Sequence, residues 1–178
     1  LQSKDPEYQR GKTAITKKRF NEIGSALTRL PKSWNTHRTI SRILDAKSKM
    51  ISSGENIDWS TGEALAFGSL QIEGFPIRLS GQDCTRGTFS HRHSGILDQN
   101  TGEKFYPLNN IRNDQEGHYE VIDSMLSEYA VLGYEYGYSL AEPNALTLWE
   151  AQFGDFANGA QIMFDQFIGT GESKWLRM

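Results

Sequence analysis

Residues 126–149 have the sequence LSEYAVLGYEYGYSLAEPNALTLW, and this stretch points to the fold class of the chain. Its first part, up to Tyr138, is apolar and aromatic with helical spacing, which predicts a helix. Residues 145–149 then predict a strand. Helices alternating with strands are typical of folds in which helices cover a mostly parallel sheet.

Glu128 carries the clearest chemical information in this stretch. A carboxylate that is buried without a partner is strongly disfavoured in its charged form, so it holds a proton, as a proton-exchanging group must. The alternative of a solvated helix face stays open, because Glu is seldom fully buried. That face would be the helical stripe formed by Glu128, Leu132, Glu135 and Ser139.

The regions on either side of this stretch extend the same alternation. Residues 60–63, Ser-Thr-Gly-Glu, form a capping-box pattern that predicts a helix ending at Gly74. Residues 77–80 predict a short strand, and residues 155–167 predict a further helix. The sequence therefore predicts an α/β fold with an open, mostly parallel sheet flanked by helices. Ligands of such sheets bind beyond the carboxyl ends of the strands, here residues 80–83 and 150–153.

Residues 81–118 are rich in Gly, Asn, Asp and Arg, which predicts a long loop region too polar for the core. Within it, residues 98–103 predict the turn of a hairpin between residues 95–97 and 104–106. Long loops on a rigid scaffold often carry binding and catalytic residues. We therefore expect functional side chains in this region.

The N-terminal third is basic. Residues 1–53 contain 12 Lys and Arg against 4 Asp and Glu, whereas the whole chain has a net charge of −3. Such asymmetry can indicate nucleic-acid binding, but the basic residues alternate with two apolar stripes at helical spacing. Two amphipathic helices with basic outer faces are the favoured interpretation. The stripes are Phe20, Ile23, Leu27 and Leu30, ended by Pro31, and Ile40, Ile43, Leu44, Met50 and Ile51, ended by Gly54.

Length and composition set outer bounds on the class of protein. At 178 residues, 37% of them hydrophobic, the chain can bury the core of one domain. No apolar run approaches the roughly 20 residues of a membrane span, and residues 1–5 do not resemble a signal peptide, so we expect a soluble, intracellular protein. The single Cys84 excludes an internal disulfide and has no evident base to make it a nucleophile.

Two histidines stand out in the polar region. His91 and His93 lack a recognisable third ligand, so metal binding is disfavoured. Neutral histidines that hydrogen-bond a polar substrate are more plausible, because the neighbouring Arg86, Thr88 and Arg92 suit an anionic ligand. A purely structural role in holding the loop also stays open.

Five segments together resemble the thiamine-diphosphate-dependent, decarboxylating dehydrogenase component of 2-oxoglutarate dehydrogenase complexes. They are residues 78–83, 86–93, 126–129, 134–138 and 149–161. The resemblance covers residues 57–178 and implies a transketolase-like, thiamine-binding fold. It divides the chain into a basic helical segment and linker at residues 1–56 and a pyrimidine-binding domain at residues 57–178, incomplete at its C-terminus.

The resemblance assigns Glu128 to the position of the cofactor-activating glutamate. In that role the carboxyl group hydrogen-bonds a ring nitrogen of the aminopyrimidine and promotes removal of the proton from the thiazolium carbon. The carbanion chemistry then belongs to the cofactor. A desolvated carboxyl group is the physical requirement, because a solvated one would not share its proton with so weak a base.

The same resemblance implies roles for five further residues. Phe153 and Phe156 correspond to the aromatic wall against the pyrimidine ring, with Gln152 beside them, although ordinary core packing would equally explain both phenylalanines. His91 and His93 match the loop that reaches toward the thiazolium ring and the substrate.

The resemblance also implies partners and an activity for the parent protein. It implies oxidative decarboxylation of 2-oxoglutarate and succinyl transfer to the lipoyl domain of a succinyltransferase, with thiamine diphosphate bound between two copies of the subunit. The Mg²⁺ ligands are expected outside this chain. The expected location is the cytoplasm of a bacterium or the mitochondrial matrix. A related thiamine-dependent 2-oxoacid dehydrogenase or decarboxylase, or a non-catalytic assembly module, remains the alternative.

Overall fold

The computed structural model describes residues 11–152 and 155–176 of the chain. Helices and strands alternate through most of this part, as the sequence predicts. The helices are α1 (Lys17–Thr28), α2 (Arg38–Ser53), α3 (Trp59–Ile72), α4 (Glu128–Ala141), α5 (Asp155–Met163) and α6 (Gly171–Trp175). The strands are β1 (Ile77–Gly81), β2 (Ile96–Leu97), β3 (Lys104–Phe105), β4 (Tyr119–Asp123) and β5 (Leu146–Glu150).

Three of these strands form a parallel sheet in the order β4-β1-β5, which confirms the predicted α/β class. The central strand β1 is buried along its whole length. Strand β4 is absent from the predicted elements, because its pattern Tyr-Glu-Val-Ile-Asp places charged residues within a short strand. It exists because it pairs with β1, some forty residues earlier in the chain.

The two faces of the sheet pack against different helices. Ile77 and Leu79 of β1 lie in the main hydrophobic core together with residues of α1, α2 and α3. Arg78 lies between them in sequence and contacts Glu135 of α4, because successive side chains of a strand point to opposite faces. The sheet is thus the middle layer between α4 and the N-terminal helices.

Helices α1 and α2 confirm the two predicted apolar stripes. Ile23 of α1 and Ile51 of α2 are buried in the same core as β1. A Cβ atom at Gly24 would lie 2.4 Å from Cγ2 of Ile51, so the two helices cross in direct contact. Residues 17–53 therefore pack on the rest of the fold, while the division at residue 56 stays a prediction.

Helix α3 begins earlier than its sequence pattern suggests. The capping residue is Asp58, whose Oδ1 accepts a hydrogen bond of 2.7 Å from the backbone N–H of Thr61. Ser60 and Thr61 lie inside the helix and are buried. The predicted capping box at residues 60–63 is therefore wrong, although the helix itself and its end before Gly74 are confirmed.

Residues 81–118 contain the predicted hairpin, formed by β2 and β3. The expectation that this region is too polar for the core is wrong. Cys84, Ile96 and Leu108 are each at most 3% exposed. The polar residues around them are tolerated because ion pairs and backbone hydrogen bonds satisfy them, as for the buried Arg92.

The predicted C-terminal helix consists of two parts. Helix α5 ends at Met163, and a turn of π-helix continues from Phe164 to Ile168. Phe164 contacts Trp149 of β5, with ring centroids 6.4 Å apart. This segment therefore packs on the same side of the sheet as α4.

Candidate functional site

The three parallel strands end together at one edge of the sheet. In the register of the sheet, Gly81 of β1 pairs with Asp123 of β4 and with Glu150 of β5. The loops that follow these strands are tied together, since the backbone N–H of Ser124 donates to the carbonyl of Gly81 over 2.8 Å. This edge is where an open parallel sheet binds its ligands.

Glu128 lies at this edge, at the first position of α4. Its side chain is partly buried, and the carboxylate makes no hydrogen bond or ion pair with any residue that the structure describes. Further along the same stripe, Leu132 and Glu135 are buried at 7% and 4% exposure. The stripe thus faces the protein, and the solvated-face interpretation is wrong.

A small pocket with a cavity volume of about 10 Å³, open to solvent, lies against the Glu128 side chain. We call it the Glu128 pocket; its walls include Gly81, Gln82, Ser124, Trp149, Glu150 and Gln152. Its residues come from the ends of β1 and β5, the loop after β4 and the start of α4. The sequence places a ligand site at two of these strand ends, and the structure brings both of them to Glu128.

Helix α5 passes close to the Glu128 carboxylate. A Cβ atom built at Gly159 would lie 3.0 Å from Oε2 of Glu128 and 3.4 Å from its Cδ. A contact of 3.0 Å is tighter than an ordinary van der Waals contact, so a side chain here would press on the carboxylate. The missing side chain of Gly159 therefore leaves room for the present orientation of Glu128.

Gln152 lines the Glu128 pocket, as its sequence position suggests. Its Nε2 donates a hydrogen bond of 2.9 Å to the carbonyl of Gln82, which joins the ends of β5 and β1. The other two residues predicted to bind cofactor cannot be placed. Phe153 and the side chain of Phe156 lie outside the described residues.

His91 lies in a larger, open cleft of about 1180 Å³, which we call the His91 cleft. Its walls include Trp59, Glu63, Phe89, Trp149 and Glu150. The imidazole packs on Gly87, whose φ is +83° and where a Cβ atom would lie 2.4 Å from Cε1 of His91. Only glycine accommodates both the backbone angle and the ring. Among the described residues, the buried Nδ1 of His91 has no hydrogen-bond partner.

His93 lies in a different place, a cavity of about 30 Å³ beneath the loop. This His93 cavity is shared with Lys47, Glu63 and Tyr119. Burial lowers the pKa of His93 below its ordinary value, and the nearby cations, Lys47 first, act in the same direction. His93 is therefore neutral at pH 7 and does not face the same space as His91.

Arg92, between the two histidines, lines both the His91 cleft and the His93 cavity, but most of its hydrogen-bond donors are already occupied. It is 5% exposed, and its guanidinium binds Glu63 through two hydrogen bonds, Nε to Oε1 at 2.6 Å and Nη2 to Oε2 at 3.1 Å. Nη2 also contacts Oε2 of Glu150, and Nη1 donates to the carbonyl of Cys84 over 2.6 Å. The expectation that Arg92 suits an anionic ligand is wrong, because two glutamates already neutralise it.

Hydrogen bonds to the two glutamates keep Arg92 charged. Burial disfavours the guanidinium, but hydrogen bonds to Glu63 and Glu150 outweigh that effect and raise the pKa of Arg92 above its ordinary value. Within the described part of the chain, Oε1 of Glu150 is buried and has no hydrogen-bond partner. Glu150 lines both the Glu128 pocket and the His91 cleft, so it connects the two spaces.

The sequence gives Glu63 no role in a site, and it marks Glu150 only as part of the strand end at residues 150–153. The available signal is weak: Glu150 ends an otherwise apolar strand segment, Leu-Trp-Glu at residues 148–150. Their importance depends on contacts with Arg92, which lies 29 residues from Glu63 and 58 from Glu150 along the chain.

Cys84 has no part in this chemistry. Its Sγ donates to the carbonyl of Ile122 over 3.0 Å, and burial raises the pKa of the thiol to about 12. The thiol is therefore protonated at neutral pH, and the prediction that it is not a nucleophile is supported. No group of three His, Cys, Asp or Glu residues within the described ranges is arranged to hold a metal ion.

Comparison with known proteins agrees with this geometry. Residues 55–178 match the family described as transketolase, pyrimidine binding domain, and the chain belongs to this family. The individual relatives have a more specific name than the family. The chain is 63% identical over 172 residues to the 2-oxoglutarate dehydrogenase E1 component of Brucella anthropi. It is 62% identical over the same length to the proteins of that name from Brucella canis and Brucella suis.

Each match covers 97% of this chain and 17% of the relative, so the chain spans about a sixth of the length of the curated relatives it matches. A match of that extent includes most of α1 and α2 as well as the pyrimidine-binding domain. The similarity therefore reaches further toward the N-terminus than the resemblance drawn from the sequence motifs, which covers residues 57–178. None of the helices in residues 11–152 and 155–176 is long and apolar enough to span a membrane.

Proposed function

We propose that this chain is the pyrimidine-binding part of a thiamine-diphosphate-dependent 2-oxoglutarate dehydrogenase E1 component. The observation that carries this proposal is the carboxylate of Glu128, which faces a pocket at the strand ends and has no protein partner within the described residues. The identity of 62–63% to proteins of that name supports the choice of substrate. We propose that the cofactor is the group that hydrogen-bonds the Glu128 carboxylate.

The side chains of the pocket fit such a cofactor. The Glu128 carboxylate and Oε1 of Glu150 are hydrogen-bond acceptors without partners among the described residues, so the pocket suits a ligand that donates hydrogen bonds and carries positive charge. An aminopyrimidine joined to a thiazolium ring has both properties. Glu128 and Gln152 would hold the pyrimidine, with Phe153 and Phe156 proposed as its aromatic wall.

When bound, thiamine diphosphate would supply a thiazolium carbon that, once deprotonated, adds to the 2-oxo carbon, and a positively charged ring that takes up the electron pair of the C–C bond left behind when CO₂ departs. The task of Glu128 is to share a proton with a ring nitrogen of the pyrimidine. A partly buried carboxyl group suits this task, because water would otherwise compete for the same hydrogen bond.

The two histidines have different proposed roles. His91 lies in the cleft that shares Trp149, Glu150 and Ala151 with the Glu128 pocket, so its ring can hydrogen-bond a substrate bound beyond the cofactor. His93 is buried beneath the loop and neutral, and its proposed part is to support that loop.

We propose that other polypeptide segments supply the remaining groups that the reaction needs. The Mg²⁺ and diphosphate ligands, a second copy of the subunit and the lipoyl domain of a succinyltransferase are proposed partners. The proposed location is the bacterial cytoplasm or the mitochondrial matrix. The 178 residues alone are expected to fold but not to catalyse.

Turnover measurements test this proposal. The full-length polypeptide that contains this chain is assayed with an artificial electron acceptor on several 2-oxoacids, with and without thiamine diphosphate. We expect cofactor-dependent turnover with 2-oxoglutarate as the best substrate, and none from the isolated 178 residues. Preference for a different 2-oxoacid would assign a related dehydrogenase, and no cofactor dependence would reject the proposal in favour of a non-catalytic assembly module.

A further inference from the structure

Arg92 ties together three separate parts of the fold. It is bound to Glu63 in α3, to the carbonyl of Cys84 in the loop after β1, and to Glu150 at the end of β5. Its own backbone is fixed as well, because the Nζ of Lys47 in α2 lies 3.4 Å from its carbonyl oxygen. A loop residue is thus fastened to the sheet, to α3 and to the N-terminal helices.

This anchoring determines where the neighbouring side chains lie. With the Arg92 side chain held inside the protein, His91 lies in the open cleft and His93 in the buried cavity. His93 has a φ of +45°, in the left-handed region that non-glycine residues rarely adopt. The loop keeps this unfavourable angle because its surroundings hold it there.

The same anchoring also fixes Glu150. One oxygen of this carboxylate is bound to Arg92, and the other is buried without a partner among the described residues. Glu150 is part of the wall of both the Glu128 pocket and the His91 cleft. A shift of Arg92 would therefore change both spaces at once.

We infer that Arg92 is a positioning residue of the proposed site: it holds the His91–His93 loop and Glu150 in one arrangement between the cofactor pocket and the substrate cleft. The inference rests on the proposed function, because it concerns the reaction proposed there. Arg92 also lines the His91 cleft, but four of its five N–H donors are bound to Glu63, Glu150 and Cys84, so the role inferred for it is to hold these groups rather than to bind the substrate.

Substitution of Arg92 by lysine separates its geometry from its charge. A lysine keeps the positive charge but has a single ammonium group, which cannot bind two carboxylates and a carbonyl in the planar arrangement of a guanidinium. We expect R92K to fold with a loosened loop.

The chain contains a matched control for this variant. Arg78 is 7% exposed and binds Glu135 through two hydrogen bonds, at 2.7 and 3.0 Å, and Glu120 through a third at 2.5 Å. It lines neither the Glu128 pocket nor the His91 cleft. R78K therefore disrupts a buried arginine with two glutamates that borders neither of these spaces.

The test compares R92K and R78K in the full-length polypeptide. The measurements are the thermal unfolding midpoint, the Kd of thiamine diphosphate, and kcat and KM for 2-oxoglutarate. We expect both variants to lower the midpoint, but only R92K to lower kcat/KM by about 10²-fold, as misplacement of a substrate-positioning group does. Equal losses of kcat/KM in the two variants would reduce Arg92 to a structural role and overturn the inference.

A second measurement does not depend on activity. In the folded chain, NMR titration of His93 reports the burial of the loop, and we expect R92K to raise the pKa of His93 toward its ordinary value while R78K leaves it unchanged. An unchanged titration of His93 in R92K would also overturn the inference. Failure of the proposed function would appear differently, as wild-type protein that does not bind thiamine diphosphate.

If R92K does not fold, Glu150→Gln takes its place, with Glu120→Gln as its control. Each removes the charge of the second carboxylate on a buried arginine and leaves the bidentate partner intact. A pKa of His93 that rises in E150Q but not in E120Q supports the inference, because loss of a direct contact between Glu150 and the cofactor would not change this titration. An equal titration of His93 in the two variants contradicts it.

Discussion

Two buried arginines, each bound to two glutamates, lie in different parts of this fold and differ in what they leave unsatisfied. Arg78 lies within a strand, both oxygens of Glu135 are bound to it, and the rings of Tyr134 and Tyr138 cover its guanidinium at 5.3 and 4.5 Å. Arg92 lies in a loop, and its partner Glu150 keeps one buried oxygen unpaired among the described residues.

This difference in unpaired oxygen atoms distinguishes an ion pair that only stabilises the fold from one that borders the proposed site. The Arg78 cluster, defined as Arg78, Glu120 and Glu135, joins the sheet to α4 and is complete in itself. The Arg92 cluster, defined as Arg92, Glu63 and Glu150, borders two open spaces and has hydrogen-bonding capacity left for a ligand. Burial and charge alone would not distinguish the two clusters.

The largest expected effect is on stability and comes from the Arg78 cluster. Glu135→Ala leaves a buried arginine without its main partner, which costs about 3–5 kcal/mol of unfolding free energy. Urea unfolding of the chain measures this loss. Replacing both Arg78 and Glu135 by apolar residues should recover much of it, since apolar packing can substitute for a buried ion pair.

Glu150→Ala is the matching change in the Arg92 cluster. It should destabilise the chain less than Glu135→Ala, because Arg92 keeps both hydrogen bonds to Glu63 and the one to Cys84. A loss of stability as large as that of Glu135→Ala would contradict the distinction between a complete cluster and one at a site.

Gly159→Ala is expected to weaken cofactor binding but to stabilise helix α5. The added Cβ would lie 3.0 Å from Oε2 of Glu128 and displace the carboxylate, so thiamine diphosphate binding to the full-length polypeptide should weaken by about tenfold, which corresponds to about 1.4 kcal/mol. The helix itself gains about 0.5–1 kcal/mol, because alanine is the better helix former.

Gly137→Ala is the control for that change. Gly137 lies in α4, and a Cβ atom there would have no neighbour within 4 Å. It should add helix stability without altering cofactor affinity, as isothermal titration of thiamine diphosphate would measure. Equal affinity in the two variants would show that α5 does not constrain Glu128.

The smallest expected effect is a pH dependence confined to the Arg92 region. The folded state holds the pKa of His93 below its ordinary value, so the unfolded chain binds the proton more readily. Stability should therefore fall as pH decreases through the ordinary histidine pKa of about 6.5, and His93→Gln should remove that part of the loss.

Thermal unfolding of wild type and His93→Gln between pH 7.5 and 5.5 measures this contribution, with both pH values chosen about one unit either side of 6.5. The groups facing His93 are the cations Lys47 and Arg86, the neighbouring His91, and Glu63 and Tyr119 in the cavity. Identical pH profiles for the two proteins would contradict the assignment.

The parts of the fold that depend on local pattern could be predicted from the sequence. The apolar stripes of α1 and α2, the strand β1 and the hairpin at residues 96–105 all follow from spacing and turn residues. Strand β4 could not be predicted, because only its pairing with β1 makes the segment from Tyr119 to Asp123 a strand. The burial of Arg92 within residues 81–118 depends on ion pairs with Glu63 and Glu150 that the sequence does not reveal.

The site divides in the same way. Glu128 and Gln152 were predicted from motifs and lie in one pocket, because both follow strands that end at the same edge of the sheet. His91 and His93 are neighbours in sequence but lie in separate cavities, because the buried Arg92 separates them.

The exchange of the thiazolium carbon proton for deuterium tests the central claim most directly. It is measured by NMR on thiamine diphosphate bound to the full-length polypeptide, for wild type, Glu128→Gln and the exposed control Glu103→Gln. A glutamine cannot share a proton with the pyrimidine nitrogen, so E128Q should slow exchange by at least about 10²-fold while the control exchanges as wild type does. Wild-type exchange in E128Q with the cofactor bound would contradict the role given to Glu128.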